Sequence, residues 1–188
     1  MKTDDPQNSV AGLLVDIIQN QTGLDRQNVL QYNQKWNLPP DSGMHVTVQF
    51  LGSNTISNRS GVENRGDAGF WEVQDLNTQE MYQIAVMSRD MTAPLKRQLV
   101  LMALASIYAQ QIQEKNNFYI APVMNFVDVS EIEGTAILYR YAITVTTQAW
   151  YHTERKVDYY NEFPGELWTE QKTGDNAYPI NPLEPYGT

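Results

Sequence analysis

The chain has no cysteine. Disulfides, zinc–thiolate sites and thiol nucleophiles are therefore excluded, and stability does not rest on the redox state of the compartment. Charge is also scarce: only 19% of residues are Asp, Glu, Lys or Arg, and the formal net charge is −9. An acidic chain lacks the basic footprint of a protein that reads DNA sequence or tracks a groove, although DNA can pass such a surface without sticking to it. Solubility is the simplest account of the charge. The longest apolar run, residues 99–109, is interrupted by Ser106 and is too short to span a bilayer. The opening MKTDDPQNSV is acidic and polar and does not read as a signal peptide.

Catalytic signatures are missing as well. There are two histidines, His45 and His152, and no phosphate-binding glycine loop, nucleophile elbow or HExxH. The pairs Glu131/Glu133 and Asp4/Asp5 read as solvated carboxylates. No catalytic residue, metal ligand or cofactor site is assigned, and a non-enzymatic protein is expected.

What the chain does have is one long alternating stretch, residues 137–151, ILYRYAITVTTQAWY. Ile137, Tyr139, Tyr141, Ile143, Val145, Thr147, Ala149 and Tyr151 fall on one face of a strand, and the more polar even positions fall on the other. At about 3.3 Å per residue it reaches roughly 50 Å, against the roughly 5–6 residues of an ordinary strand. A strand of that length either projects beyond its own core and needs a partner, or bends through a bulge and stays intramolecular.

With 188 residues, 41% of them hydrophobic, the chain suffices for one domain. Val10, Leu13, Leu14, Ile17 and Ile18 form an apolar stripe at helical spacing, with Asn8 or Ser9 to cap it and Gly23 to end it. A short helical turn is expected somewhere in 24–36, and Pro39-Pro40 breaks the chain. Met44, Val46, Val48 and Phe50 alternate as a half-buried strand. Residues 52–69 turn polar and read as a loop, or equally as a two-stranded extension. Strands follow at 70–76 and 81–87, joined by a turn at Asn77-Thr78-Gln79, with Tyr82, Ile84 and Val86 facing one way.

A single helix is expected over 92–115, opened by Thr92 and Pro94. Its middle is apolar around the whole circumference, so it must be covered on more than one side. Asn116-Asn117 makes a turn, 118–129 runs extended with Pro122, and Gly134 turns the chain into the long strand as an antiparallel hairpin. The fold class is α+β: a small mixed, mainly antiparallel sheet with two helices packed on one face, a long loop and an extended C-terminal arm. The domain covers 1–163. Residues 164–188, with prolines between Trp168, Tyr178 and Tyr186, form a Pro/aromatic arm suited to docking.

This layout resembles the tail-terminator and neck-terminator proteins of tailed bacteriophages. The resemblance rests on the opening helix at 10–19, the strand HVTVQFLG after Pro39-Pro40, the Pro94-initiated helix, and the closing LYRYAITVTTQAWYHTERKVDYYNEF with its Asp158-Tyr159-Tyr160 ending. It spans roughly residues 10–163. It implies a virion protein of the head–tail junction, made in the host cytoplasm. Such a protein forms a homo-oligomeric, usually hexameric, ring that meets a connector or neck protein on one side and the tail tube or sheath on the other. DNA transits the hole without sequence-specific binding, and no membrane is involved. Another neck, head-closure or tail-tube part, or a monomeric helix-on-sheet ligand-binding domain, are the alternatives. Candidate interface residues are Arg59, Arg65, Trp71, Arg140, Trp150, Tyr159, Tyr160, Trp168, Tyr178 and Tyr186.

Overall fold

A computed structural model describes residues 9–31, 43–123, 125–133 and 136–157. Helix α1 (Val10–Thr22) forms where the apolar stripe predicts it. The Ser9 side chain accepts from the Gly12 N–H, and Gly23 closes the helix at φ 69°, a left-handed conformation natural to glycine. A 3-10 turn (Arg26–Asn28) leads into β1 (Val29–Gln31). Then come β2 (His45–Asn64), β3 (Phe70–Ser88), α2 (Thr92–Lys96), α3 (Gln98–Leu104), α4 (Ile107–Asn116), β4 (Phe118–Ile120), β5 (Val127–Asp128), β6 (Glu131–Glu133) and β7 (Ala136–Val157).

The fold is a mixture of helices and an open, mostly antiparallel sheet in the order β1-β2-β3-β7-β4, with β5 and β6 also on β7. Only β1 against β2 is parallel. Val46, Val48, Tyr82, Ile84, Val86, Ile143 and Val145 join Val10, Leu14, Ile17, Ile18, Val100 and Leu104 of the helices in one apolar core. Tyr82, Ile84 and Val86 do share a face, and the odd positions of β7 from Ile143 to Ala149 are buried, as are Leu138 and Ala142 at even positions.

Three expectations are corrected. The sheet is not small: β2, β3 and β7 contain 20, 19 and 22 residues, each about 65 Å long. Residues 52–69 are therefore not a loop but the two-stranded alternative, closed by a 3-10 turn at Gly66–Ala68. Here the inner edge of β2 is satisfied by its ladder to β3, and the side chains are mostly polar and exposed. The expected turn at Asn77-Thr78-Gln79 is absent for the same reason. These residues stay paired to Ser57, Thr55 and Asn54 on one side and to Trp150, Ala149 and Gln148 on the other.

The third correction concerns the long helix, which is three helices. The Arg97 guanidinium donates to the Pro94 carbonyl, the group that would otherwise accept from the Gln98 N–H four residues on. Ser106 then starts α4 as an N-cap, its hydroxyl accepting from the Ala109 N–H at 3.0 Å. Val100, Ala103 and Leu104 are buried, yet Leu95, Met102 and Ile107 are 75%, 67% and 74% exposed. Among the described residues the all-round apolar pattern is thus only partly covered. Asn117 makes the expected turn in a left-handed conformation at φ 51°. The Pro39-Pro40 breaker, Gly134 and the arm at 164–188 lie outside the described residues.

Candidate assembly surface

Beyond the helices the same three strands continue alone. Residues 52–64 of β2, 70–80 of β3 and 150–157 of β7 keep their ladders to the end, with Asn64 opposite Phe70 and Phe70 opposite Val157. The extension is about 35 Å long at the rise of a strand. We call it the arm. Asn, Ser, Thr and Gln dominate it, and such residues suit a sheet wetted on both faces. Among its apolar side chains, Ile56 and Val62 on β2 are 55% and 51% exposed.

Among the described residues both flanks of the arm are open. On one side β1 reaches only Val46, Thr47 and Val48 of β2, so nothing among the described residues pairs with the outer edge of β2 from Gln49 onward. On the other, β4 ends opposite Ala149, and the last bond is from the Trp150 N–H to the Asn117 carbonyl at 3.1 Å. Past it, the outer edge of β7 has no partner strand among the described residues. The edges belong to different strands, so they are different surfaces. Exposed backbone donors and acceptors in such a row are a template for another strand.

The predicted residues distribute unevenly over this surface. Arg65 and Trp71 meet at the tip, the guanidinium 5.2 Å from the indole centroid. Arg65 is held bidentately by Glu154, at 3.0 Å twice, and by Glu63; hydrogen bonds to Glu154 and then Glu63 raise its pKa further. The Trp71 indole donates to the Ala68 carbonyl at 3.2 Å. Next in the chain of charges is His152, with Nδ1 2.7 Å from Asp75 and Nε2 3.1 Å from Glu154. Those two carboxylates, Asp75 first, raise its pKa. Hydrogen bonds from Arg65 and then His152 push Glu154 down to about 2. This network ties all three strands of the arm together at the tip.

Arg59 is exposed on β2, opposite Asp75 in register. Trp150, 44% exposed, lies where the open edge of β7 begins. With Gln110, Gln113, Phe118 and Tyr119 it lines a cleft of about 680 Å³. Arg140 is not part of the arm. It sits near the other end of β7, opposite Met87, half-buried, and its Nε has no hydrogen-bond partner among the described residues. Tyr159, Tyr160, Trp168, Tyr178 and Tyr186 lie outside the described residues.

One cluster escaped sequence reasoning. Glu80, Tyr82, Thr78 and Tyr151 converge at the foot of the arm, where Glu80 is only 8% exposed. The available signal was the alternation Thr78, Glu80, Tyr82, which puts all three on one face of a strand; Tyr151 joins them only through the β3–β7 register.

Among the described residues no group of three or more His, Asp or Glu is placed to hold a metal ion, and no helix is long and apolar enough to cross a membrane. No protein-family model matches the chain, and no curated protein matches it significantly.

Proposed function

We propose that this protein is a non-catalytic structural subunit that assembles with copies of itself into a ring. The observation that carries this reading is the three-stranded arm with two unlike open edges. The outer edge of β2 on one copy can add to the outer edge of β7 on the next, contributing main-chain hydrogen bonds. One patch meeting a different patch is a heterologous contact, and repeated around an axis it closes a ring. Apolar side chains support it from both partners: Ile56 and Val62 on β2, and Tyr119 and Trp150 beside the β7 edge. In this reading α1 and the α2–α4 helices cover one face of the sheet near its base, and the arm is left bare for neighbours.

The resemblance in layout to phage tail and neck terminators makes the head–tail junction the proposed place. There a hexameric ring would meet connector and tail-tube proteins and let DNA through an acidic, amide-rich lumen. Another ring component of the same particle fits the arm equally well.

Sedimentation and hydrogen exchange over a concentration series test the core of the claim. Assembly should slow exchange at the amides of residues 53–63 and 151–157, and Ile56→Lys combined with Val62→Lys should abolish both. A chain that stays monomeric, with unprotected edge amides even in purified particles, would sink the proposal. Imaging of the assembled state then decides the symmetry and the neighbours.

A further inference from the structure

Glu80 is the only buried carboxylate among the described residues. Its Oε2 accepts from the Tyr82 hydroxyl at 2.5 Å. Its Oε1 accepts from the Tyr151 hydroxyl at 2.7 Å and from the Thr78 hydroxyl at 3.3 Å. Both oxygens of the carboxyl group are thus engaged by neutral hydroxyl groups. Burial, and then the hydrogen bond to Glu80, raise the pKa of both phenols, so they stay protonated and donate. Yet no Lys, Arg or His pairs with this carboxylate among the described residues. A desolvated carboxylate held by neutral dipoles alone lacks the opposite charge that normally offsets its burial.

Above the carboxylate is a pocket of about 390 Å³, walled by Asn58 of β2, Gln74 and Leu76 of β3, and Tyr151 and Thr153 of β7. We propose that this pocket receives a cationic side chain, a lysine ammonium or arginine guanidinium, presented by another protein chain. Leu76 and the Tyr151 ring form an apolar wall for the methylene stem, and an aromatic face attracts a cation. The Gln74 amide nitrogen donates to Glu72 at 2.7 Å, which leaves its carbonyl oxygen to accept from the incoming group. The nearest cations of the arm are engaged elsewhere, Arg155 with Glu72 at 2.6 Å and Arg65 with Glu63 and Glu154. Neither of these two is free to be the guest, which in this proposal is presented by a different chain. The site is on a face of the sheet, not on an edge, and does not depend on strand pairing between copies.

The test uses the full chain with isotope-labelled tyrosine, followed by NMR. The probe is the blocked tripeptide acetyl-Gly-Arg-Gly-amide, with ethylguanidinium as the free small cation and the citrulline tripeptide as the uncharged control. The arginine tripeptide should shift the Tyr82 and Tyr151 ring signals saturably, and the citrulline tripeptide should not. Glu80→Gln should weaken the response roughly tenfold or more. Thr153→Trp, which fills the pocket mouth and leaves the carboxylate and its hydroxyl partners in place, should abolish it. It guards against reading a misfolded Glu80→Gln as support. Equal shifts with the citrulline probe, or an undiminished response in either folded variant, would overturn the proposal. So would binding of ethylguanidinium without binding of the tripeptide, which would assign the pocket to free small cations.

Discussion

β2, β3 and β7 each pass through two environments. Near their base, Val46, Val48, Ile84, Val86, Ile143 and Val145 are buried against the helices. A few residues along, the same strands carry Asn54, Thr55, Ser57, Gln74, Asn77 and Thr153. The β3–β7 ladder runs through both halves without a register shift, whereas β2 slips against β3 at Leu51 and again at Ile56; the larger change is in the side chains. Main-chain pairing alone thus sustains strand conformation where burial is absent, but it does not seal the outer edges. In the base the core fixes the register, because a slip by one residue would turn Ile84 and Ile143 out into water. In the arm that penalty is missing, and discrete polar contacts take its place: the Gln148 amide donating to Asn77 at 3.1 Å, the Arg155–Glu72 pair, and the tip network.

The contrast breaks most visibly under truncation. Ile84→Ala, at a fully buried position in the central strand, should cost about 2–5 kcal/mol. Thr55→Ala in the arm should cost less than about 0.5 kcal/mol. Urea unfolding of both variants checks the difference. If Thr55→Ala matches Ile84→Ala, the arm is not the solvated extension described.

Tyr151→Phe probes the boundary between the halves. It removes one of two phenolic donors to a buried carboxylate, and hydrogen bonds to charged groups contribute about 1.5–3 kcal/mol. A loss near the lower figure is expected, because Tyr82 and Thr78 remain. Ser106→Ala acts within the base. It removes the cap of α4 and should cost about 1 kcal/mol, with faster amide exchange confined to the first turn of that helix.

The same contrast explains which parts were legible in the sequence. α1 was readable because Val10, Leu13, Leu14, Ile17 and Ile18 repeat at the helical period and Ser9 and Gly23 bracket them. The base of β2 and of β7 was readable because Val46, Val48, Ile143 and Val145 alternate along the core face, although His45, Thr47 and Ala142 on the opposite face are buried as well. From Gly52 on, both faces are solvated, alternation has no cause, and the strand looks like a loop. Asn77-Thr78-Gln79 looked like a turn on composition, although each residue is paired on both sides. Ser106 was visible as a break in the apolar run, but its capping role depends on the Ala109 N–H reaching it. Of the candidate interface residues, Arg65 and Trp71 come together and Arg140 stands apart. That separation is set by register along a 22-residue strand, which no local pattern encodes. The Glu80 cluster was hidden for the same reason.

The smallest expected effect is the sharpest test of what replaces a core in the arm. The tip network contains groups that titrate in opposite directions. His152 has a raised pKa because Asp75 and Glu154 hold its charged form. Its contribution is therefore complete below the unfolded value of about 6.5 and is lost as pH rises through the raised folded value. Glu154 lies at about 2 against an ordinary 4.5, so its contribution is complete above 4.5 and fades as pH falls towards about 2. The tip is tied most firmly in the window between about 4.5 and the His152 transition. All these groups face solvent, so screening keeps the effect small. Amide exchange, corrected for its intrinsic pH dependence, should show protection at residues 61–73 and 152–157 peaking in that window and falling on both sides, while protection around Ile84 and Ile143 stays flat. Arg65→Gln should flatten the acid side, because Glu154 then loses the first of its two partners. His152→Asn should remove the alkaline step. If base and tip instead follow pH together, the two regions open as one cooperative unit, and the division between them by burial is wrong.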